Sequence, residues 1–463
     1  MAEHIWFFTA PEDPVLKRRG DPLGFRQATD TYAELLAPGL SNRTVDGRWL
    51  TILCWVLRNA NDLWQHFRSG GDTSCPGDSR QAAAGLYAWI RPLELLWIAR
   101  AKALLGERKP TGYQLPGIRA VERWYNNDTD LDHFGLSRDQ LRRYRQTGLY
   151  GAYRVALRRL KGLTLHGDGW TVGEEGRKLA SIVDTSLSWK SLNLAKRDSR
   201  KGRKPDEEIY CRRQVWSCWK RAGKEQFLPE SARHVRRLPE AERTILRRAL
   251  FGAEAPEADE DANRRLKVIR IIKATKEKDH AAVCGAIARG LRKELGDSII
   301  GLQEFSVLAD AGVRAMNGIW EAMRSEESVS VQTCAHNASV QSELAKLKKA
   351  AERWRRLKNT GSVTGLDTAN CLADTICRAC PSAPEILRAL IAHHVEHGGG
   401  MRWFRLSPDE RTILRVARDR RYGGALYRFR LVALSRMAVQ CEVLAASRYK
   451  RLFGGELDEL DED

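Results

Sequence analysis

The sequence predicts a mainly α, multidomain helical protein, and three observations carry that expectation. Apolar residues recur at helical spacing through long stretches, notably residues 49–67 and 81–105, as one buried helix face requires. Strand signals are sparse outside one short segment, Leu163-Thr164-Leu165, Gly167-Asp168-Gly169, Trp170-Thr171-Val172. Two short runs around a glycine turn read as a small β-hairpin. The chain has 463 residues and is 43% apolar, enough for roughly two to four domains with their own cores.

Along the chain, residues 1–45 read as irregular around one helix at 25–36. Pro38-Gly39-Leu40-Ser41-Asn42-Arg43-Thr44 is a turn into the strongly apolar helix 49–67. The helix over 81–105 bends at Pro92, which has no N–H to donate. Ser137 caps another helix, with Gln140 three residues on completing a capping box. Thr147-Gly148 ends it. The next helix lines Tyr150, Tyr153, Leu157 and Leu160 along one face and leaves Arg154, Arg158, Arg159 and Lys161 for others. After the hairpin, Glu174-Glu175 open a further helix. Residues 196–205 are basic and lack an apolar face, so they read as a linker. Residues 207–291 are helical around an acidic loop at 252–261, and 339–357 form a polar helix. Leu238-Pro239-Glu240-Ala241-Glu242-Arg243-Thr244-Ile245-Leu246-Arg247 is echoed by Leu406-Ser407-Pro408-Asp409-Glu410-Arg411-Thr412-Ile413-Leu414-Arg415. Both stretches read as capped helix starts.

Residues 136–180 resemble a winged helix-turn-helix domain in the order and length of their elements. The likeness is strongest at Gly169-Trp170-Thr171-Val172-Gly173-Glu174-Glu175-Gly176-Arg177-Lys178-Leu179-Ala180, which resembles a wing and its following helix. The resemblance implies a helix offered to the major groove and a wing beside the backbone. Winged helices also serve as protein-docking modules. The segments expected are an N-terminal helical domain (1–130), the winged helix-turn-helix (131–190), a basic linker (191–206), a central helical domain (207–330), a C-terminal helical domain (331–455) and an acidic tail (456–463).

The formal charge of +19 points to a polyanionic partner, nucleic acid first and DNA before RNA. The phosphate contacts expected are Arg154, Arg158, Arg159 and Lys161 on the helix, His166 in the wing, and Arg197, Arg200, Lys201, Arg203 and Lys204 in the linker. The fourteen tryptophans fall largely at helical spacing, which favours packing over base stacking. The acidic start predicts no signal peptide, and no apolar run suits a membrane span. Ten scattered cysteines suit a reducing cytoplasm.

Cys371, Cys377, Cys380 and His394 offer zinc-type donors, with Cys377 and Cys380 in Cys-x-x-Cys spacing. The full spacing departs from zinc-finger patterns, so buried structural cysteine is the favoured reading and no cofactor is expected. His393-His394-Val395-Glu396-His397 resembles the His-x-x-Glu-His pattern of some metallopeptidases, but Gly398-Gly399-Gly400 ends the helix where that family needs chain for another ligand. There is no Walker-type loop and no serine elbow, and Glu304 and Asp310 are possible nuclease carboxylates that nothing marks above the others.

Residues 21–26, 38–44, 50–55 and 398–404 resemble helical proteins of bacterial anti-phage defence islands. That resemblance implies a non-ATPase subunit working beside a helicase or nuclease on foreign DNA. A transcription regulator and a metal-dependent nuclease with dispersed carboxylates are the alternatives.

Overall fold

A computed structural model describes residues 21–69, 148–187, 238–252, 259–324, 326–357, 363–378, 382–399, 402–416 and 427–453, with Ile90, Leu93, Glu94, Trp97 and Ile98. Side chains at 62–69 and 184–187 are left undescribed. The fold is mainly α, with 14 helices holding 71% of the described residues and one small antiparallel sheet. The helices are α1 (Arg26–Leu36), α2 (Gly47–Ser69), α3 (Gly148–Arg159), α4 (Glu174–Leu187), α5 (Glu240–Phe251), α6 (Glu260–Ala274) and α7 (His280–Leu295). They continue with α8 (Leu302–Ala322), α9 (Val331–His336), α10 (Ala338–Arg355), α11 (Asp367–Arg378), α12 (Ala383–His397), α13 (Leu431–Gln440) and α14 (Ala446–Phe453).

The chain divides into two compact units, each discontinuous in sequence. The first holds α1 and the stretch from Arg270 to Phe429; the second holds Ala37 to Ile269 and Arg430 onward. The 269/270 boundary falls inside α6, where no linker composition marks it.

The first unit is built on α8, which is buried along most of its length. Its centre is aromatic. Phe305 lies 5.4 Å from Phe25, 5.3 Å from Tyr32 and 6.0 Å from both Trp354 and Phe429, ring centre to ring centre. Tilted and edge-on rings at these spacings suit the aromatic quadrupole. Gly301 opens α8 under this cluster. A Cβ there would come within 2.8 Å of the Tyr32 hydroxyl, so a larger residue would push the ring out. The sheet has the order β1-β3-β2: β1 (Ser328–Ser330), β2 (Phe404–Leu406) and β3 (Thr412–Arg415). Ile413 in the middle strand is fully buried and pairs with Val329 and Leu406.

The echoed decapeptide departs from expectation here. Residues 238–247 enter α5 as read, but residues 406–415 form the β2–β3 hairpin. The turn chemistry explains the correction. The Glu410 N–H donates to the Ser407 carbonyl, with Pro408 and Asp409 between, and Glu410 then takes a left-handed φ of 56°. Proline at the second turn position followed by a left-handed residue is a hairpin connection.

The second unit packs α2 against α4 and α3. Trp55 and Trp97 meet edge-on inside it, at 5.5 Å. Its interior carries a polar knot. The Asp46 carboxylate accepts from the Arg48 N–H and from Gln440 Nε2, while Gln440 Oε1 accepts from the Gly47 N–H. Glu242, fully buried, accepts from Thr51 Oγ1 at 2.7 Å and faces Arg48 at 3.3 Å. Arg265, also buried, donates to the carbonyls of Ala249, Leu250 and Pro38. Two of those carbonyls belong to the last turn of α5, which has no intrahelical donors for them.

Candidate functional site

The winged-helix-like segment is described from its second helix onward; its expected first helix lies outside the described residues. The hairpin after α3 takes its smallest form. One antiparallel bridge joins Thr164 and Val172, flanked by Leu165 N–H to Thr171 O and Gly173 N–H to Leu163 O. Asp168 holds the tip by accepting from the backbone of Trp170 and Thr171. Glu94 caps the start of α3, accepting from the N–H groups of Leu149 and Tyr150. A buried carboxylate at a helix N-terminus satisfies two unpaired donors and complements the dipole.

Three arginines expected to face phosphates have partners within the chain. The Arg154 guanidinium lies 5.4 Å over the Trp170 ring, a cation–π geometry. Arg158 Nε donates to the Gly167 carbonyl, and a Cβ at Gly169 would strike the Arg158 side chain at 2.6 Å. Arg159 pairs with Asp261 at 2.7 Å. These contacts brace the loop on its helix. Lys161 and His166 are exposed. Arg197, Arg200, Lys201, Arg203 and Lys204 lie outside the described residues.

A second basic stretch escaped the sequence reading. Arg270 and Lys273 sit one turn apart at the end of α6, and Lys276 and Lys278 follow in the connector to α7. Arg289, Arg292 and Lys293 share the far end of α7. All seven are exposed, and none makes an ion pair among the described residues. The two helices touch where Ile271 reaches Gly290: a Cβ there would meet Ile271 Cδ1 at 2.5 Å. Two carboxylates, Glu277 and Asp279, interrupt the run, and Asp279 is occupied as the cap of α7. The signal in sequence was Arg270, Lys273, Lys276 and Lys278 at two- and three-residue spacing, obscured by the apolar residues between them.

The histidine and cysteine chemistry is also rearranged. Of the four residues proposed as a zinc set, His394 is fully committed elsewhere. Its Nδ1 donates to the Pro22 carbonyl at 2.7 Å, and its Nε2 accepts the Trp403 N–H at 2.8 Å. Cys377 is a free, partly buried thiol outside the cluster, and Cys380 lies outside the described residues. What the fold gathers instead is Cys371, His393 and His397, with one donor atom from each within 4.8 Å of the others. Helix periodicity explains the exchange. His393 and His397 are four residues apart on α12, so they share a face, and their rings stand 4.6 Å apart. His394 points elsewhere. Cys371 reaches the pair from α11, with Sγ 3.5 Å from His397 Nε2. His393 is 3% exposed; Nε2 lies 3.0 Å from the Leu23 carbonyl, and Nδ1 has no hydrogen-bond partner. Burial pushes its pKa down to about 4, so the ring is neutral at physiological pH.

One further cluster brings a thiol, an imidazole and a hydroxyl together. Cys284 Sγ sits 4.0 Å from the His280 ring, and His280 Nδ1 is 3.1 Å from Ser306 Oγ. Burial holds the Cys284 thiol protonated far above neutrality and draws the His280 pKa down to about 4. Both groups therefore rest in their neutral forms. Of the two carboxylates weighed for a nuclease, Glu304 pairs with Arg353 at 3.0 Å. Asp310 is raised to about 6, chiefly by burial.

Comparison with family models, with curated proteins and with solved structures gave no match to the chain. Among the described residues, no helix is long and apolar enough to cross a membrane.

Proposed function

We propose that this chain binds nucleic acid, double-stranded DNA in preference to RNA, as a non-ATPase subunit beside a helicase or nuclease of a bacterial DNA-processing or anti-phage defence complex. The observation that carries the reading is the α6–α7 stretch, with exposed cations at Arg270, Lys273, Lys276, Lys278, Arg289, Arg292 and Lys293. Unpaired cations on neighbouring helices attract phosphates without the cost of breaking internal ion pairs. The +19 charge of the whole chain supports it. The winged-helix-like segment adds Lys161, His166 and the wing backbone. Its three arginines would have to give up internal contacts to bind.

The test is binding of the full chain to a labelled duplex across a salt series, with and without magnesium. Seven phosphate contacts give a slope of log affinity against log salt of about −6, from roughly 0.9 per contact. Replacing Arg270, Lys273, Lys276 and Lys278 with alanine should lessen that slope by roughly 3 to 4. Absence of binding at low salt overturns the reading. Magnesium-dependent cutting puts a nuclease in its place.

A further inference from the structure

We propose that Cys371, His393 and His397 form a binding site for a borderline-soft divalent transition-metal ion, zinc in the first instance. Three observations converge on it. The donor set is one thiol and two imidazoles, the types zinc takes in tetrahedral sites. The spacing is close to that of a loaded site. Two ligands on a tetrahedral zinc, at metal–sulfur and metal–nitrogen distances of about 2.3 and 2.0–2.1 Å, stand about 3.5 Å apart. Cys371 Sγ and His397 Nε2 are 3.5 Å apart. One ring nitrogen of His393 lies within 4.8 Å of a donor atom on each of the other two, so roughly an ångström of closure, with any ring turn that presents Nδ1, completes the triangle.

The third observation is the state of His393. Its Nε2 is occupied by the Leu23 carbonyl, while Nδ1 is buried without a partner. A metal-bound histidine characteristically donates its other ring N–H to a carbonyl or carboxylate, which fixes the tautomer and aims the free lone pair. The Leu23 carbonyl does that here. Left bare, a buried acceptor costs stability; a metal ion at Nδ1 removes the deficit. The same contact also ties the segment before α1 to α12 inside the first unit.

The alternative is a thiol–imidazole hydrogen bond with no metal. It accounts for Cys371 and His397 but leaves His393 Nδ1 unexplained. Three protein ligands complete three of the four positions of a tetrahedral ion, and the fourth falls to water or another donor.

The experiment is titration of the full chain, purified under reducing conditions, with cobalt(II) and with zinc(II). Cobalt should bind one equivalent at this site, with the intense d–d bands of tetrahedral geometry and a thiolate-to-cobalt charge-transfer band. Zinc should displace it and raise the Tm. Cys371→Ala should abolish the charge-transfer band and weaken zinc at least 100-fold. The thiol is exposed, so the variant is expected to fold. His397→Ala should weaken binding comparably, whereas Cys377→Ala, on the same helix as Cys371, should leave both bands and affinity unchanged. No tetrahedral cobalt spectrum, or a charge-transfer band that survives Cys371→Ala, overturns the site. Metal binding and duplex binding are measured separately, so neither result decides the other.

Discussion

The hexapeptide Glu-Arg-Thr-Ile-Leu-Arg occurs twice in this chain, as residues 242–247 and 410–415, and it takes two different structures. In α5 it buries Glu242 and Leu246, one helical turn apart, and leaves Ile245 partly exposed. In the β2–β3 hairpin it buries Ile413 completely, leaves Leu414 partly exposed and sets Glu410 at the exposed turn. The buried positions are one helical turn apart in the first copy, whereas a single residue of the six is buried in the second. Local preference does not separate them. What differs is the environment. Glu242 finds Arg48 and Thr51, and the α5 carbonyls find Arg265. Thr412, Ile413 and Leu414 find β1 on one side, while the Ser407–Glu410 turn folds the chain back onto β2. Tertiary partners override propensity where a segment is compatible with either state.

The strongest way to break this comparison is to truncate the same residue in both copies. Ile413→Ala should cost about 2–5 kcal/mol, because it empties a sealed position in the sheet. Ile245→Ala should cost under about 1 kcal/mol, as expected of a partly exposed side chain. The leucines should reverse the ranking, with Leu246→Ala well above Leu414→Ala. Chemical denaturation of the four variants reads the pattern. Equal losses at Ile245 and Ile413 would contradict the difference in burial between the two copies.

The glutamates should differ next. Burial raises the Glu242 pKa from 4.5 to about 6, against the pull of Arg48. A carboxyl raised on folding stabilises fully below its unfolded pKa and loses that contribution as pH climbs through the folded value. Glu242 should therefore cost about 2 kcal/mol in going from pH 4.5 to above 6. His280 is pushed down to about 4, so it loses stability as pH falls from 6.5 toward 4. The two tilts overlap. The difference between wild type and Glu242→Gln isolates the first, and it should vanish for Glu410→Gln, which sits exposed at the turn.

The smallest effect has the opposite sign. Glu410 holds a φ of 56°, which costs a side-chain-bearing residue about 1–2 kcal/mol. Glu410→Gly relieves that strain at an entropic cost of about 0.5–1 kcal/mol. A net gain of about 0.5 kcal/mol is expected, read as a small rise in Tm. Glycine at Glu242 should only destabilise.

Much of the helical framework was legible in the chain. The helices around residues 25–36, 49–67, 150–160 and 339–357 follow from apolar spacing and terminate near their glycines and caps. The turn at Gly167-Asp168-Gly169 was legible too, because few residues tolerate such backbone. The hairpin at 404–415 was hidden by its likeness to a helix start, although Ser407-Pro408-Asp409 carried turn chemistry. At the Cys/His cluster the sequence named Cys371 and chose His394 where the fold gathers His393 and His397. Adjacent His393 and His394 are equivalent in composition, and only the helical phase of α12 against Pro22, Leu23 and Trp403 distinguishes them.

The charges divide the same way. The sequence by itself established a strongly basic chain, from composition, and the α class, from the spacing of apolar residues, because neither needs a tertiary partner. Which cations remain available was decided by tertiary structure. Arg154, Arg158 and Arg159 meet Trp170, Gly167 and Asp261, whereas Arg270, Lys273 and Arg289 do not meet an ion-pair partner among the described residues. A side chain's freedom depends on what long-range folding brings beside it, and that information is absent from its neighbours along the chain.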